Sequence, residues 1–195
     1  MRKAPRQVRS RATTEAILDA TARILGERGW MGITTNAVAE TAGVSIGSLY
    51  QYFPNKQALI EAVTRRHFDE VLAVLQSATD AATPRTRRIA AFVEGMIAVH
   101  SRYPAAHRML LEHAPCDGRA PAAHHEFERE YRKGCEAFHN VNARRPPAGN
   151  SRLRAQVLAS AVAGIIHDAA HQGTLASPAL RRELLALVDA CLSRR

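Results

Sequence analysis

The sequence is poor in the residues that mark fibrous and disulfide-bonded proteins. Of its 195 residues, 11 are Gly, 9 are Pro and 3 are Cys. So little Gly and Pro excludes a collagen-like or low-complexity fibre. The cysteines, at positions 116, 135 and 191, are widely spaced and form no CxxC pair. We therefore expect neither a disulfide framework nor a zinc knuckle, and a reducing cytoplasm fits best.

Long apolar runs are also absent. The longest, Val157 to Ile166, is interrupted by Ser160 and falls well short of the ~20 residues that cross a bilayer. No apolar segment follows the basic N-terminus, so the sequence does not predict a signal peptide. We expect a cytoplasmic protein with no membrane partner.

The common signatures of catalysis are missing as well. There is no HExxH motif, no nucleophile-elbow pattern around a serine, and no Gly-rich phosphate loop after a strand. His167 and His171 are one helical turn apart, as in a metal pair, but spacing places no third ligand. We expect no catalytic residue, no metal and no cofactor. A metal-dependent helical enzyme remains an alternative.

Positive charge is what the sequence has in excess. The formal net charge is +9, and residues 1–60 hold 8 basic and 4 acidic side chains. Five of these bases precede the first acidic residue, Glu15: Arg2, Lys3, Arg6, Arg9 and Arg11. Such a segment is either a solvated tail or an arm that follows a phosphate backbone or enters a minor groove. Charge alone leaves both open.

Apolar residues recur at helical spacing along nearly the whole chain, and no segment alternates as a strand would. The pattern predicts a first helix that ends at Gly29, a second over 36–42, a third from Ser45 to Tyr52, and a fourth from Asn55 to about Thr79. Five more are predicted over 85–102, 104–113, 120–143, 150–172 and 178–193. We expect an all-α fold of about nine helices, with a small head and a larger body.

Residues 34–50 predict a helix-turn-helix. Thr34-Thr35 and Ser45 suit helix N-caps, and Gly43 can end the second helix in the left-handed conformation. Ala39 allows the two helices to cross closely, and a small core is expected from Val38, Val44 and Leu49. The outward start of the third helix then carries Ile46, Gly47, Ser48 and Tyr50. Helix-turn-helix proteins present side chains from that position to base edges in the major groove.

These residues also carry a family resemblance. The matching order is Ile17-Leu18-Asp19-Ala20, Gly29, Thr34-Thr35 and the segment from Ala42 to Lys56. Over about residues 11–65 it resembles the N-terminal domain of the TetR/AcrR family. The resemblance implies a three-helix DNA-binding head on a helical ligand-binding body. It also implies a homodimeric repressor that leaves a pseudo-palindromic operator when a small molecule binds.

The resemblance also assigns roles to individual residues. Asn36 is placed near a base or phosphate, Tyr50 and Lys56 on phosphates, and residues 46–48 on the groove floor. Hydroxyl donors suit phosphate oxygens. The predicted DNA-binding set is Thr35, Asn36, Ser45, Ile46, Gly47, Ser48, Tyr50, Tyr52 and Lys56. Tyr52 is equally consistent with core packing, and Phe53 is expected in the core.

Base reading from the third helix is expected to be sparse. Arg, Asn and Gln are absent from residues 45–50, and these are the residues that pair bidentately with purines. We therefore expect DNA shape and the N-terminal arm to supply part of the specificity.

The body contains two stripes of aromatic, Met and His residues at helical spacing. They are Ile89, Phe92, Met96, His100 and Tyr103, and His124, Phe127, Tyr131, Cys135 and Phe138. A stripe of this kind is either ordinary core or the wall of a cavity. Because the family's body holds an effector, a pocket for a partly apolar small molecule is predicted from Phe92, Met96, His100, Phe127 and Tyr131.

The last two predicted helices carry small and aliphatic faces. They are Leu153, Val157, Ala161, Gly164, Ile165 and Ala169, and Leu180, Leu184, Leu187, Val188 and Cys191. These faces either complete the monomer core or, by the resemblance, form the homodimer interface.

The expected divisions of the chain are an arm over 1–10, a helix-turn-helix domain over 11–57, a connecting helix over 58–82, and a ligand-binding and dimerisation domain over 83–195. The alternative to a ligand-released repressor is a DNA-binding activator or a protein-interaction regulator that binds no small ligand.

Overall fold

Helices form nearly all of the computed structural model, which describes residues 4–104, 122–144 and 150–193. Within those ranges there are eight helices and no strand. They are α1 (Ala4–Gly32), α2 (Thr35–Ala42), α3 (Ile46–Tyr52), α4 (Lys56–Ser77), α5 (Arg85–Arg102), α6 (Ala122–Asn142), α7 (Ser151–Gln172) and α8 (Pro178–Ser193). The all-α prediction is confirmed, and the helix predicted over 104–113 lies outside the described residues beyond Pro104. None of the described helices has the length and apolar character to cross a membrane.

The short helices α2 and α3 begin and end where the sequence places their caps. The Thr34 hydroxyl accepts a hydrogen bond from the Ala37 amide at 3.1 Å, and the Ser45 hydroxyl accepts one from the Ser48 amide at 3.1 Å. Gly43 ends α2 at φ 67°, a conformation that costs a residue without Cβ little. The predicted helix-turn-helix is therefore confirmed in its local geometry.

Helix α1 begins earlier than predicted, and it is broken at Gly29, where the sequence predicts its end. It is helical from Ala4 onward, so most of the basic segment predicted as an arm continues α1. At the other end Gly29, with φ 67° and ψ −174°, is non-helical and separates the predicted helix from a short helical segment that reaches Gly32. Carbonyls at a helix end lack internal donors, and here the Lys56 ammonium donates to the Trp30 carbonyl at 2.6 Å.

The described residues divide into two compact units, with the boundary between Arg66 and His67 inside α4. In the first unit, α1 buries the predicted face of Ile17, Ala20, Thr21, Ile24 and Leu25. Val38 and Leu49 are fully buried, whereas Val44 is half-buried. Arg66 joins α4 to α1 through Asp19 at 2.7 Å and Glu15 at 3.2 Å.

The second unit has its own core, contributed by α5 to α8 and the later part of α4. Its centre includes Phe92 and Phe138, whose ring centroids are 4.3 Å apart. Val71, Leu75, Met96, Leu158, Ile166, Leu184 and Val188 are buried in the same cluster. These side chains form one continuous hydrophobic core in the second unit.

Candidate functional site

Helix α3 packs against the first unit through Leu49, which is fully buried. The opposite face of the helix is therefore exposed to solvent. Ile46 is 39% exposed and Tyr50 is 51% exposed, so two large side chains lie on the surface although burial would favour them. A Cβ added at Gly47 would have nothing within 4 Å. The chain thus leaves the predicted contact surface of α3 uncovered.

Hydroxyl groups connect α2 to α3 on this surface. The Tyr50 and Thr35 hydroxyl oxygens are 3.1 Å apart and share a hydrogen bond. The Ser45 hydroxyl donates to the Ser48 hydroxyl at 2.9 Å. Asn36 is exposed in the first turn of α2, where the helix dipole is positive. These groups are therefore held in fixed positions next to a helix end that favours anions.

The remaining predicted contact residues lie at the end of α3 and the start of α4. Tyr52 is 36% exposed, whereas Phe53 is 8% exposed, which confirms Phe53 as a core residue. Lys56 is half-buried, and besides its bond to Trp30 its ammonium lies 6.0 Å from the centre of the Trp30 ring. The structure brings all nine predicted residues onto α2, α3, their caps and the first turn of α4, and their contact with DNA stays a prediction.

A pocket of about 340 Å³ lies between α6 and α7 in the second unit. Its walls are Phe127, Glu128, Tyr131, Arg132, Cys135, Glu136, Arg152, Ala155, Gln156, Ala159, Ser160 and Ala163. Of the residues predicted to line a pocket, Phe127 and Tyr131 are here. Phe92, Met96 and His100 are elsewhere, each 2% exposed, because the α5 stripe packs into the core of the second unit.

The α7 side of this pocket is not among the residues predicted from the sequence. Ala155, Ala159 and Ala163 recur every four residues and so share one helix face. Small side chains at that spacing leave room opposite the large rings of Phe127 and Tyr131. This repeat is the signal in the sequence that could have located the pocket.

The pocket offers neutral hydrogen-bonding groups at neutral pH. Burial raises the pKa of the Tyr131 hydroxyl above its usual range, and the adjacent Cys135 contributes to the rise. Burial likewise raises the pKa of the Cys135 thiol to about 11. Because the thiolate is the reactive form, a protonated and buried Cys135 is suited to binding rather than to nucleophilic chemistry.

Three histidines from different helices meet in the second unit. The ring centroids of His67 and His100 are 5.1 Å apart, and those of His100 and His167 are 5.7 Å apart. Nδ1 of His100 donates to the Met96 carbonyl at 2.7 Å. In the ranges that the structure describes, no three His, Cys, Asp or Glu residues are arranged to hold a metal ion. His171, which is one helical turn from His167, is exposed.

Comparison with known proteins covers both units. The family model for bacterial regulatory proteins of the tetR family matches residues 17–63. A second model, the tetracyclin repressor-like C-terminal domain, matches residues 87–192. These two matches together include α2, α3 and both helices that line the pocket.

Individual relatives agree with these matches. The transcriptional repressor KstR of Mycobacterium tuberculosis is 38% identical over 78 residues, which is 40% of this chain and 36% of KstR. The regulator RutR of Escherichia coli is 36% identical over 105 residues, 52% of this chain and 49% of RutR. The alignments thus span about a third to a half of these curated relatives.

A solved structure extends the likeness of fold to nearly the whole chain. The regulator FadR of Bacillus subtilis, in complex with stearoyl-CoA, superposes with a TM-score of 0.72 and 14% identity, covering 92% of this chain and 97% of FadR. At that identity the match concerns the fold alone. The two family models, which cover the head and more than half of the chain, show that this protein belongs to the TetR family of bacterial transcriptional regulators.

Proposed function

We propose that this protein is a DNA-binding transcriptional regulator: a homodimeric repressor that a small, partly apolar effector releases from a pseudo-palindromic operator. The observation that carries the proposal is the uncovered outer face of α3, held by capped helices inside the segment that matches the family's DNA-binding domain. A cytoplasmic location is part of the same proposal, because the operator is there.

The surface around α3 suits a phosphate backbone. No Asp or Glu occurs between Glu40 and Glu61, so α3 meets DNA without carboxylate repulsion. Exposed Arg9 and Arg11 on α1 add positive charge to the same unit. The shared Thr35 and Tyr50 hydroxyls can turn their protons to phosphate oxygens, which fixes the register of α3 on the duplex.

The exposed side of α7 suits a homodimer interface. Leu153 is 58% exposed and Val157 is 56% exposed, one turn apart on the same face. A Cβ at Gly164 would touch nothing, so a partner helix can approach there. On α8, Leu184 and Val188 are buried in the chain's own core, whereas Leu180, Leu187 and Cys191 remain partly exposed for the interface. Two-fold pairing places two α3 helices about one duplex turn, ~34–36 Å, apart.

We expect tight, salt-sensitive and sequence-preferring binding to the intergenic DNA beside the protein's own gene, with two chains per duplex. The double variant Tyr50→Phe/Lys56→Ala is expected to weaken binding to all sequences about 10- to 100-fold, because charge-assisted hydrogen bonds are lost. The slope of log affinity against log salt becomes shallower by about 0.9, because Lys56→Ala removes one charge that neutralises a phosphate. Gel shifts at several salt concentrations measure the affinity and its salt slope, and sedimentation measures the number of chains per duplex.

The matched control is Lys133→Ala, which removes the same charge from an exposed lysine on α6. Its DNA affinity is expected to equal that of the wild type. A thermal melt of each variant is needed because Lys56 also binds the Trp30 carbonyl. Unchanged binding by the double variant shows that the phosphate contacts are misplaced, and the absence of any sequence-preferring complex contradicts the proposed function.

The pocket between α6 and α7 is the proposed effector site. Phe127, Ala155 and Ala159 supply apolar wall, and Tyr131 lines the pocket with them. At its rim Arg152 pairs with Glu136 at 2.9 Å. A pocket that is mostly apolar with a few orienting polar groups is typical of small-molecule sites. Effector and operator affinities must then oppose each other to the same extent.

Filling the pocket is expected to make DNA binding insensitive to the effector. Screening small aromatic and aliphatic acids, alcohols and amides by thermal shift identifies a ligand, which at 100 times its Kd stabilises the chain by about 2.7 kcal/mol. In Ala163→Phe the new ring occupies the pocket, so the thermal shift and the release of DNA are both lost. Ala137→Phe, at an exposed position of α6, is the control. A full response in Ala163→Phe places the effector elsewhere.

A further inference from the structure

Two residues, Gly47 and Gln51, define the outermost line of α3. Each is two residues from the buried anchor Leu49, and at about 100° per residue each lies some 200° from it, opposite the core. Both are exposed. Because they are four residues apart, they follow each other along one face of the helix.

Gly47 lets the first turn of α3 come close to a surface. A Cβ at this position would have no neighbour within 4 Å, so the missing side chain is not required by packing within the chain. A helix without a side chain on its outermost line can place its backbone against base edges, which brings the side chain of the next turn within reach. That side chain is Gln51.

The side-chain amide of Gln51 has hydrogen-bonding groups that suit a base edge. It makes no hydrogen bond within the part of the chain that the structure describes, whereas Ser48 bonds to Ser45 and Tyr50 to Thr35. Ile46 and Gly47 carry no polar side chain. A glutamine amide donates and accepts side by side, which matches N7 and the N6 amino group of adenine in the major groove.

We propose that Gln51 is the specificity-determining residue of α3 and reads an adenine in each operator half-site. The inference rests on the proposed function and deepens it, because it names the base and the residue. Residues 45–50 hold no bidentate reader, but α3 continues to Tyr52 and its last turn supplies one. The hydroxyls of Tyr50 and Thr35 set the register in which the amide of Gln51 meets the base.

Selection from a pool of randomised duplexes tests the assignment in the full-length protein. The wild type is expected to enrich one A·T pair, repeated symmetrically in the two half-sites. In Gln51→Ala the preference at that pair drops about 10- to 100-fold, and the other positions keep theirs. In Gln51→Glu the preference moves to C·G, because a carboxylate accepts from the cytosine N4 amino group but cannot donate to N7 of adenine.

Gln57→Ala is the matched control, since Gln57 is also exposed but lies on α4, where it bonds to Glu61 at 3.2 Å. Its profile is expected to equal that of the wild type. Equal weakening of all sequences by Gln51→Ala identifies a phosphate contact and overturns the proposal, as does an unchanged profile. A wild type that enriches no sequence overturns the proposed function itself, and the assignment of Gln51 with it.

Discussion

Replacing Arg88 by Met is expected to lower the free energy of unfolding by about 2–4 kcal/mol, because it leaves several buried acceptors without a donor. Arg88 is 8% exposed. Its guanidinium donates to the side-chain oxygen of Asn142 at 2.9 Å, to the Thr83 carbonyl at 2.5 Å and to the Val141 carbonyl at 3.1 Å. One side chain therefore ties the turn before α5 to the C-terminal end of α6.

The expected loss of stability is larger because the side-chain amide of Asn142 is itself bonded to Arg88. It is fully buried and donates in turn to the Phe138 carbonyl at 2.8 Å, so losing Arg88 leaves its oxygen unpaired in the core. Urea unfolding monitored by circular dichroism measures the change. Arg87→Met is the matched control, since Arg87 is exposed one residue away, and surface substitutions usually stay within ±0.5 kcal/mol. Equal stabilities of the two variants contradict this account of Arg88.

The part of the structure that was predictable from sequence is the part that local chemistry decides. Thr34, Gly43 and Ser45 fix the ends of α2 and α3 because a cap acts on amides and carbonyls within four residues of itself. The candidate DNA surface follows directly, since a buried Leu49 determines which residues of α3 face outward. Gln51 lies just beyond residues 45–50, whose composition predicts sparse base reading, and belongs to α3 because the helix runs to Tyr52.

The effector pocket was predicted only on one side because its other side depends on tertiary packing. The apolar stripe on α5 and the one on α6 look alike in sequence. In the structure Phe92 on α5 meets Phe138 in the core, whereas Phe127 and Tyr131 on α6 face a gap. The gap exists because the facing side chains, Ala155 and Ala159, are small, and they lie on a helix about 24 to 32 positions further along the sequence. Arg88 was missed for the same reason, since its acceptors are brought together only by folding.

The second large effect expected is acid destabilisation arising from His67, His100 and His167. Burial lowers the pKa of His67 to about 3, and the neighbouring His100 and His167 add to this. Burial lowers the pKa of His100 to about 4, although its bond to the Met96 carbonyl opposes the shift. Burial also lowers the pKa of His167. The folded chain therefore holds these imidazoles neutral well below the pH at which a hydrated histidine takes up a proton.

Whether acid raises or lowers the free energy of unfolding depends on which state, folded or unfolded, binds more protons. Below pH ~6.5 the unfolded chain protonates its histidines and the folded chain does not, so the free energy of unfolding falls with pH by about 1.4 kcal/mol per unit for each such histidine. The full stability is present above about pH 6.5 and is lost as the pH falls towards about 4. Between pH 7.5 and 5.0 we expect His67 and His100 together to cost about 4 kcal/mol.

Urea unfolding of the wild type and of His67→Gln/His100→Gln across this pH range measures how steeply the free energy of unfolding changes with pH. This slope does not depend on any constant loss of stability that the substitutions cause. The double variant is expected to lose most of the slope between pH 6.5 and 5.0, because glutamine takes up no proton in either state. His171→Gln, at an exposed position on α7, is the matched control and keeps the slope of the wild type. If the double variant keeps it too, groups other than these buried imidazoles bind the protons that unfold the second unit.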